Sequence, residues 1–179
     1  IMVITGDADA AAMAQKAGAF VLADAENAGT AAAVTQAARH LAAAGRNGML
    51  VIPADVPLIT PADVELIVVT HRAAPSVTLV PARIDGGTNA LACSPPGAVE
   101  VCFGDNSFRR HREAARAHGI EPQVLPLEHL GNDIDRPEDL ATFLLRPSPT
   151  QSYAYLTTIG TPDRLRHAHR DRRDERRAG

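Results

Sequence analysis

Asp55 stands in Leu50-Val51-Ile52-Pro53-Ala54-Asp55-Val56-Pro57-Leu58-Ile59-Thr60, behind an apolar run, Met49 to Ile52, that reads as a buried strand. The strand must stop there, because Pro53 fixes its own φ and Pro57 has no N–H to offer a neighbour. Thr60-Pro61-Ala62-Asp63 then starts a helix, with Thr60 as cap, Pro61 in the first helical position and Asp63 facing the positive end of the dipole. Asp55 therefore sits at the carboxyl end of a core strand, the edge where open α/β sheets place their ligand crevice. The competing reading is a turn in which Asp55 only bonds nearby backbone. Two further carboxylates, Asp133 and Asp135, lie in the polar turn Asn132-Asp133-Ile134-Asp135. Their spacing places both on one side of an extended segment. If the turns at 55 and 133–135 converge at one sheet edge, their hard oxygens suit Mg²⁺, which binds through one or two carboxylates plus substrate phosphates. A capping turn ahead of Pro137 competes for Asp135, and less strongly for Asp133.

Two loops are rich in hydrogen-bond donors: Gly86-Gly87-Thr88-Asn89 and Gly104-Asp105-Asn106-Ser107. Each offers exposed N–H groups and a hydroxyl, and the second opens a helix whose unpaired N–H groups form an anion site. The competing reading is an ordinary loop and an N-cap serine. A third stretch, Glu26-Asn27-Ala28-Gly29-Thr30, has a glycine that lets a ligand approach the backbone closely.

Other chemistries lose their main support. There is no Gly-x-Gly-x-x-Gly after a strand, no glycine-Lys phosphate loop and no Gly-x-Ser-x-Gly elbow. The seven histidines lack zinc spacing, and most are expected to face solvent. Cys93 and Cys102 also lack metal spacing and fit a reducing cytoplasm, with Cys93 buried in a strand. No apolar run approaches the ~20 residues of a membrane span, and no signal peptide is visible. Few aromatics and no Trp argue against stacking platforms for nucleic acid. The formal charge is −3, but residues 162–179 hold seven Arg and four acids, so the other 161 residues carry −6. An acidic body needs metal ions or backbone N–H groups to bind an anionic substrate.

The elements that position these residues alternate. Strands are expected at Met2–Thr5, Ala19–Leu22, Met49–Ile52, Ser76–Ala82, Ala90–Cys93 and Gln123–Leu127. Helices are expected up to Lys16, from a Thr30 cap to about Ala44, from Pro61 to about Arg72, from Phe108 to about Ala117, and from Pro137 to Leu145. Arg136 stands where Thr60 stands before the earlier Pro, a weaker start. The alternation implies a mostly parallel, three-layer sheet with right-handed crossovers. Residues 1–145 read as one domain, and 146–179 as a mostly disordered Arg-rich tail.

Assembled, the chain resembles the CofC/FbiD family of guanylyltransferases in coenzyme F-420 biosynthesis, within the MobA-like nucleotidyltransferases. The resemblance runs from about Met2 to Leu145. It is carried by Val51-Ile52-Pro53-Ala54-Asp55-Val56-Pro57-Leu58, Gly87-Thr88-Asn89-Ala90-Leu91, Phe103-Gly104-x-x-Ser107-Phe108 and Asn132-Asp133-Ile134-Asp135-x-Pro137-Glu138-Asp139-Leu140. It implies a Rossmann-like fold of the nucleotide-diphospho-sugar transferase type. It also implies Mg²⁺-dependent transfer of GMP from GTP to a small phosphorylated acid: 2-phospho-L-lactate, phosphoenolpyruvate or 3-phosphoglycerate. Asp55, Asp133 and Asp135 would hold the metal, with Asp55 and Asp133 catalytic. Gly29, Thr30, Pro53 and Ala54 would meet the nucleotide. Thr88, Asn89, Gly104 and Ser107 would meet the acceptor.

The chain departs from the pattern in two places. The family's first strand and Lys/Arg-bearing loop are absent, with Lys16 on a helix beyond them, and Gly29-Thr30 replaces a favoured Leu-Asn. The alternatives are a molybdopterin-type guanylyl- or cytidylyltransferase and a non-catalytic ligand-binding remnant. The expected partners are GTP and a phosphorylated acid, without nucleic acid or membrane and with a homodimer left open. The expected setting is cytoplasmic.

Overall fold

Strand alternation divides the hydrophobic residues between two faces of a central sheet. The computed structural model describes residues 1–24 and 27–165. Its elements are β1 (Met2–Thr5), α1 (Ala8–Lys16), β2 (Phe20–Ala23), α2 (Thr30–Ala43), β3 (Met49–Val51), α3 (Pro61–Thr70), β4 (Ser76–Pro81), β5 (Thr88–Ser94), α4 (Ser107–Ala117), β6 (Gln123–Val124), α5 (Pro137–Leu144) and α6 (Gln151–Thr158). Val77, Leu79, Leu91 and Cys93 pack with Val34 and Ala38 of α2 and Ala115 of α4. Val80, Ala90 and Ala92 pack the other way, with Ile67 of α3 and with Leu130. The period of two in the strands thus produces three layers, with α2 and α4 on one face and α3 on the other.

The main sheet has the order β3-β5-β4-β6, and β1 and β2 pair in parallel as a separate ribbon. β4 and β6 are parallel, whereas β5 runs antiparallel to both β3 and β4. β3, β4 and β6 therefore share one direction, and β5 is the reversed strand of a mixed sheet. The reason is local: six residues, 82–87, join β4 to β5, too few for a parallel crossover.

The register of β4 and β5 slips beside the site. Val80 faces Ala90, but Pro81 faces Thr88, so Asn89 is the extra residue of a bulge. Pro81 has no N–H to continue the ladder there. Continued alternation would put Thr88 on the face of Ala90 and Ala92. Instead its hydroxyl lies against His111 of α4, and Asn89 reaches Leu130 on the opposite face.

Helix starts differ from expectation in two places, at α2 and α4. α2 is capped by Gly29 at φ 90°, and Thr30 is its first helical residue rather than its cap. α4 is capped by Asn106 in the left-handed region, so Ser107 is inside the helix and is not an N-cap. Arg136 supplies no side-chain acceptor, but Asp139 reaches back to its N–H at 2.9 Å and closes the start of α5. α3 follows its sequence signals: the Thr60 hydroxyl accepts from the Asp63 N–H, and Asp63 accepts from the Thr60 N–H at 2.9 Å. The helix α6 corrects the reading of disorder for 151–158. Thr150 caps it by accepting from the Tyr153 N–H, and Tyr153 meets Phe143 of α5 edge to face. The late strand is shorter than expected, ending at Val124. Glu26 and residues 166–179, with most of the Arg-rich stretch, lie outside the described residues. No helix among the described residues is long and apolar enough to cross a membrane.

Candidate active site

Four loops are stitched together at one end of the sheet by backbone hydrogen bonds. The Ile134 N–H donates to the Asp55 carbonyl at 3.0 Å, which joins the turn after β3 to the turn before α5. The Arg83 N–H donates to the Gly131 carbonyl at 2.9 Å, and the Phe108 N–H to the Gly86 carbonyl at 3.1 Å. The loop between β4 and β5 is thereby tied both to the acidic turn and to the start of α4. Two cavities, of about 500 and 440 Å³, meet at Asp85, Asp133, Asp135 and Arg136. The smaller one gathers most of the residues singled out from sequence: Thr30, Pro53 and Asp55, then Thr88 and Asn89, then Gly104 and Ser107. Gly29 and Ala54 adjoin Thr30 and Pro53 in sequence but are not among its lining residues.

The tightest carboxylate group is Asp85, Asp133 and Asp135, with one oxygen from each within 4.8 Å of the others. Asp85 was missed in the sequence reading. The available signal was an acid within a glycine-rich loop facing two other acidic turns. Its Oδ1 accepts from the Gly87 N–H at 2.8 Å. A Cβ at Gly87 would fall 2.9 Å from that oxygen, so a side chain there would push the Asp85 carboxylate aside. Asp55 borders the group and shares its field. Partial burial raises its carboxyl above the ordinary 3.8, offset in part by its own backbone N–H, and the charges of Asp135, Asp133 and Asp85 push it further. Desolvation also raises Asp135, reinforced by Asp133, Asp85 and Asp139 and opposed by Arg136. Like charges so placed favour either a proton or a cation. Hard oxygen donors of this kind fit a divalent ion such as Mg²⁺.

Asn89 is buried, and its amide nitrogen donates to the Leu130 carbonyl at 2.6 Å and to Asp133 Oδ1 at 3.1 Å. It holds the acidic turn and orients one of its carboxylates, a supporting task rather than an open contact.

The half of the cavity expected from the sequence to bind an anion differs from a bare helix terminus. The Ser107 N–H already donates to the Gly104 carbonyl at 3.0 Å, and the Phe108 N–H is taken by Gly86. Unpaired N–H groups converging from the first turn, as the sequence suggested, are therefore reduced by two. Side chains take over: Thr88 and Ser107 are both buried, and the Ser107 hydroxyl donates to Thr88 Oγ1 at 3.2 Å. Gly104, at φ 114°, gives the loop a turn that an L side chain rarely adopts. Histidine is the other correction. His111 is fully buried, not solvent-facing, and lies 3.0 Å from Thr88 Oγ1 through Nδ1. Cys93 is buried as expected, and burial raises its thiol.

Comparison with known proteins shows the family and the fold. The profile of the family described as guanylyl transferase CofC like matches residues 1–177. A phosphoenolpyruvate guanylyltransferase from Rubrobacter xylanophilus is 38% identical over 116 residues, 65% of this chain and 57% of that protein. A 3-phospho-D-glycerate guanylyltransferase from Colwellia psychrerythraea is 38% identical over 117 residues, 65% of this chain and 55% of that protein. A 2-phospho-L-lactate guanylyltransferase from Methanothermobacter thermautotrophicus is 31% identical over 159 residues, 89% of this chain and 70% of that protein. The chain thus spans little more than half the length of the first two relatives. A crystal structure from Desulfovibrio desulfuricans, of a protein assigned as a nucleotide-diphospho-sugar transferase, superposes with a TM-score of 0.70 at 18% identity, covering 93% of this chain and 75% of its own. That likeness bears out the α/β fold class expected from the sequence. The chain belongs to the family of CofC-like guanylyl transferases.

Proposed function

We propose that this chain carries the acceptor and metal sites of a guanylyltransferase. The enzyme would move GMP from GTP to the phosphate of a small carboxylic acid. An acceptor phosphate oxygen attacks the α-phosphorus of GTP, the bond to the bridging oxygen of the β-phosphate breaks, and pyrophosphate leaves. The observation that carries this reading is a single cavity joining a carboxylate cluster to a buried hydroxyl pair, Thr88 and Ser107. Asp85, Asp133 and Asp135, with Asp55 beside them, would hold Mg²⁺, which when bound supplies neutralisation of the phosphates. Asn89 fixes Asp133, and the hydrogen bond from the Ile134 N–H to the Asp55 carbonyl keeps the two turns in register. Thr88 and Ser107 offer hydroxyls to an acceptor phosphate, a strong hydrogen-bond partner. Thr30 and Pro53 lie on the same cavity and would meet the nucleotide. Little covalent work is left to the protein beyond positioning and charge.

The relatives reported above are named for three different acids, and all three carry both a phosphate and a carboxylate. The test is pyrophosphate release from GTP with each of these acids, using the product of the full reading frame. One acid should support turnover, and Asp55→Asn should remove it without lowering the melting temperature. Turnover with none of them refutes the proposal. A loss of the thermal transition in Asp55→Asn would make that residue structural.

A further inference from the structure

The anion-binding hydroxyls rest on a buried histidine that has no part in the reaction as drawn above. His111 lies on α4, one turn from Ser107 and one turn from the core residue Ala115. Its ring meets Phe103 edge to face, with centroids 5.0 Å apart, which fixes the ring plane. The Cys102 backbone N–H donates to Nε2 at 2.8 Å. Nε2 is thereby an acceptor and carries no proton. In a neutral ring the proton must then sit on Nδ1, which faces Thr88 Oγ1 at 3.0 Å. Burial, with the charge of Arg110 adding to it and a hydrogen bond to the Ser107 backbone opposing, lowers the ring to about 4, so it is neutral at physiological pH.

A threonine hydroxyl has two acceptor positions and one proton. Thr88 Oγ1 receives the Nδ1–H of His111, shared with the Ser107 backbone, and the hydroxyl proton of Ser107, so both acceptor positions are filled. The Thr88 proton is then the unassigned member of the network, and Thr88 lines the cavity. We propose that His111 is a positioning residue that holds Thr88 as a hydrogen-bond donor towards an anion in the cavity, the acceptor's phosphate. This rests on the acceptor reading given above. A hydroxyl free to rotate would present lone pairs to a phosphate as readily as its proton. One locked as a donor binds the anion without that loss.

Sequence spacing could not reveal this arrangement. His111 meets Thr88 only because the bulge at Asn89 turns Thr88 to the α4 face.

The test combines binding and tautomer. His111→Leu removes both ring nitrogens. His111→Asn keeps a donor near the Nδ1 position but leaves the Cys102 N–H without its partner. Calorimetry with phosphoenolpyruvate, inorganic phosphate and GTP reads binding, melting curves read folding, and nitrogen chemical shifts of labelled histidine read the tautomer. The Leu variant should bind phosphoenolpyruvate and phosphate about tenfold more weakly, with GTP changed less than about twofold. The Asn variant should recover most of that affinity although it also melts lower. In a Thr88→Val background, His111→Leu should cost no further affinity.

Losses that track the melting temperature in both variants, or equal losses for GTP, would reduce His111 to a packing residue. A wild-type ring protonated at Nε2 would overturn the proposal even if the Leu variant does not fold. If the wild-type protein binds GTP but neither phosphate probe, the acceptor reading fails and this proposal falls with it. If it binds both probes and the variants are unchanged, only the role of His111 fails.

Discussion

Replacing Asp135 by Asn should make the metal-free protein more stable and the metal-loaded one less so. The oxygens of Asp85, Asp133 and Asp135 lie within 4.8 Å of one another. Two unit charges at that separation repel by about 1 kcal/mol in water and about 3 kcal/mol at an effective dielectric of ~20. Asp135 is exposed, so the solvent end of that range applies to each of its two neighbours, less screening by salt. Asn keeps the shape and removes the charge. The variant without metal should therefore gain roughly 1–2 kcal/mol, a rise in Tm of roughly 2–8 °C for a chain of this size. A ligand at about ten times its dissociation constant adds about 1.4 kcal/mol to the wild type, and most of this should be missing in the variant. Melting curves in EDTA and in about 10 mM MgCl₂, at matched ionic strength, give both quantities. The pH dependence supplies an internal check. Asp55 and Asp135 are held above 3.8, so their contribution to metal-free stability is fully present below 3.8 and is lost as pH rises through their folded values. Asp135→Asn should flatten that decline. A variant that melts below the wild type in EDTA, or one that responds equally to Mg²⁺, would show Asp135 to be a structural turn residue.

Two further outcomes follow from the supports of the site. Asn89→Leu leaves the Leu130 carbonyl without its partner and Asp133 without its guide, and should cost about 1–3 kcal/mol in denaturant unfolding while weakening Mg²⁺ affinity, read from the concentration dependence of the melting shift, roughly tenfold or more. Burial pushes Asp63 up, but the Thr60 hydroxyl and N–H and the neighbouring His129 outweigh it, so its carboxyl is held below 3.8. Its stabilising effect is present above 3.8 and is lost as pH falls through the folded value. The advantage of wild type over Asp63→Asn, about 1 kcal/mol at neutral pH, should therefore vanish in strongly acidic melts.

Much of this protein is legible from local signals. Pro53 and Pro57 end β3 and leave Asp55 outside it, and Thr60-Pro61-x-Asp63 starts α3 through a reciprocal pair of hydrogen bonds. Those signals depend on residues within one turn of each other, and so the sequence carries them whole. The acidic turn at 133–135 and the loops at 86–89 and 104–107 are recognisable for the same reason. That Asp55 and Asp133 share an edge follows from alternating strands and helices, which return the chain to the same end of the sheet.

What depends on contacts between distant segments was decided only by tertiary structure. Asp85 joins Asp133 and Asp135 because the Arg83 N–H is tied to the Gly131 carbonyl, a pairing of residues far apart in sequence. Ser107 looked like a helix cap, but Asn106 takes the left-handed position and the hydroxyl of Ser107 turns to Thr88. His111 looked like one of several surface histidines. Its burial depends on which face of α4 meets the sheet, and its partner depends on a bulge beside Pro81 that exchanges the faces of Thr88 and Asn89. A bulge puts the residues on its two sides out of step by one position. The pattern of residue types fixes which groups are available for chemistry, and strand register decides which of them touch.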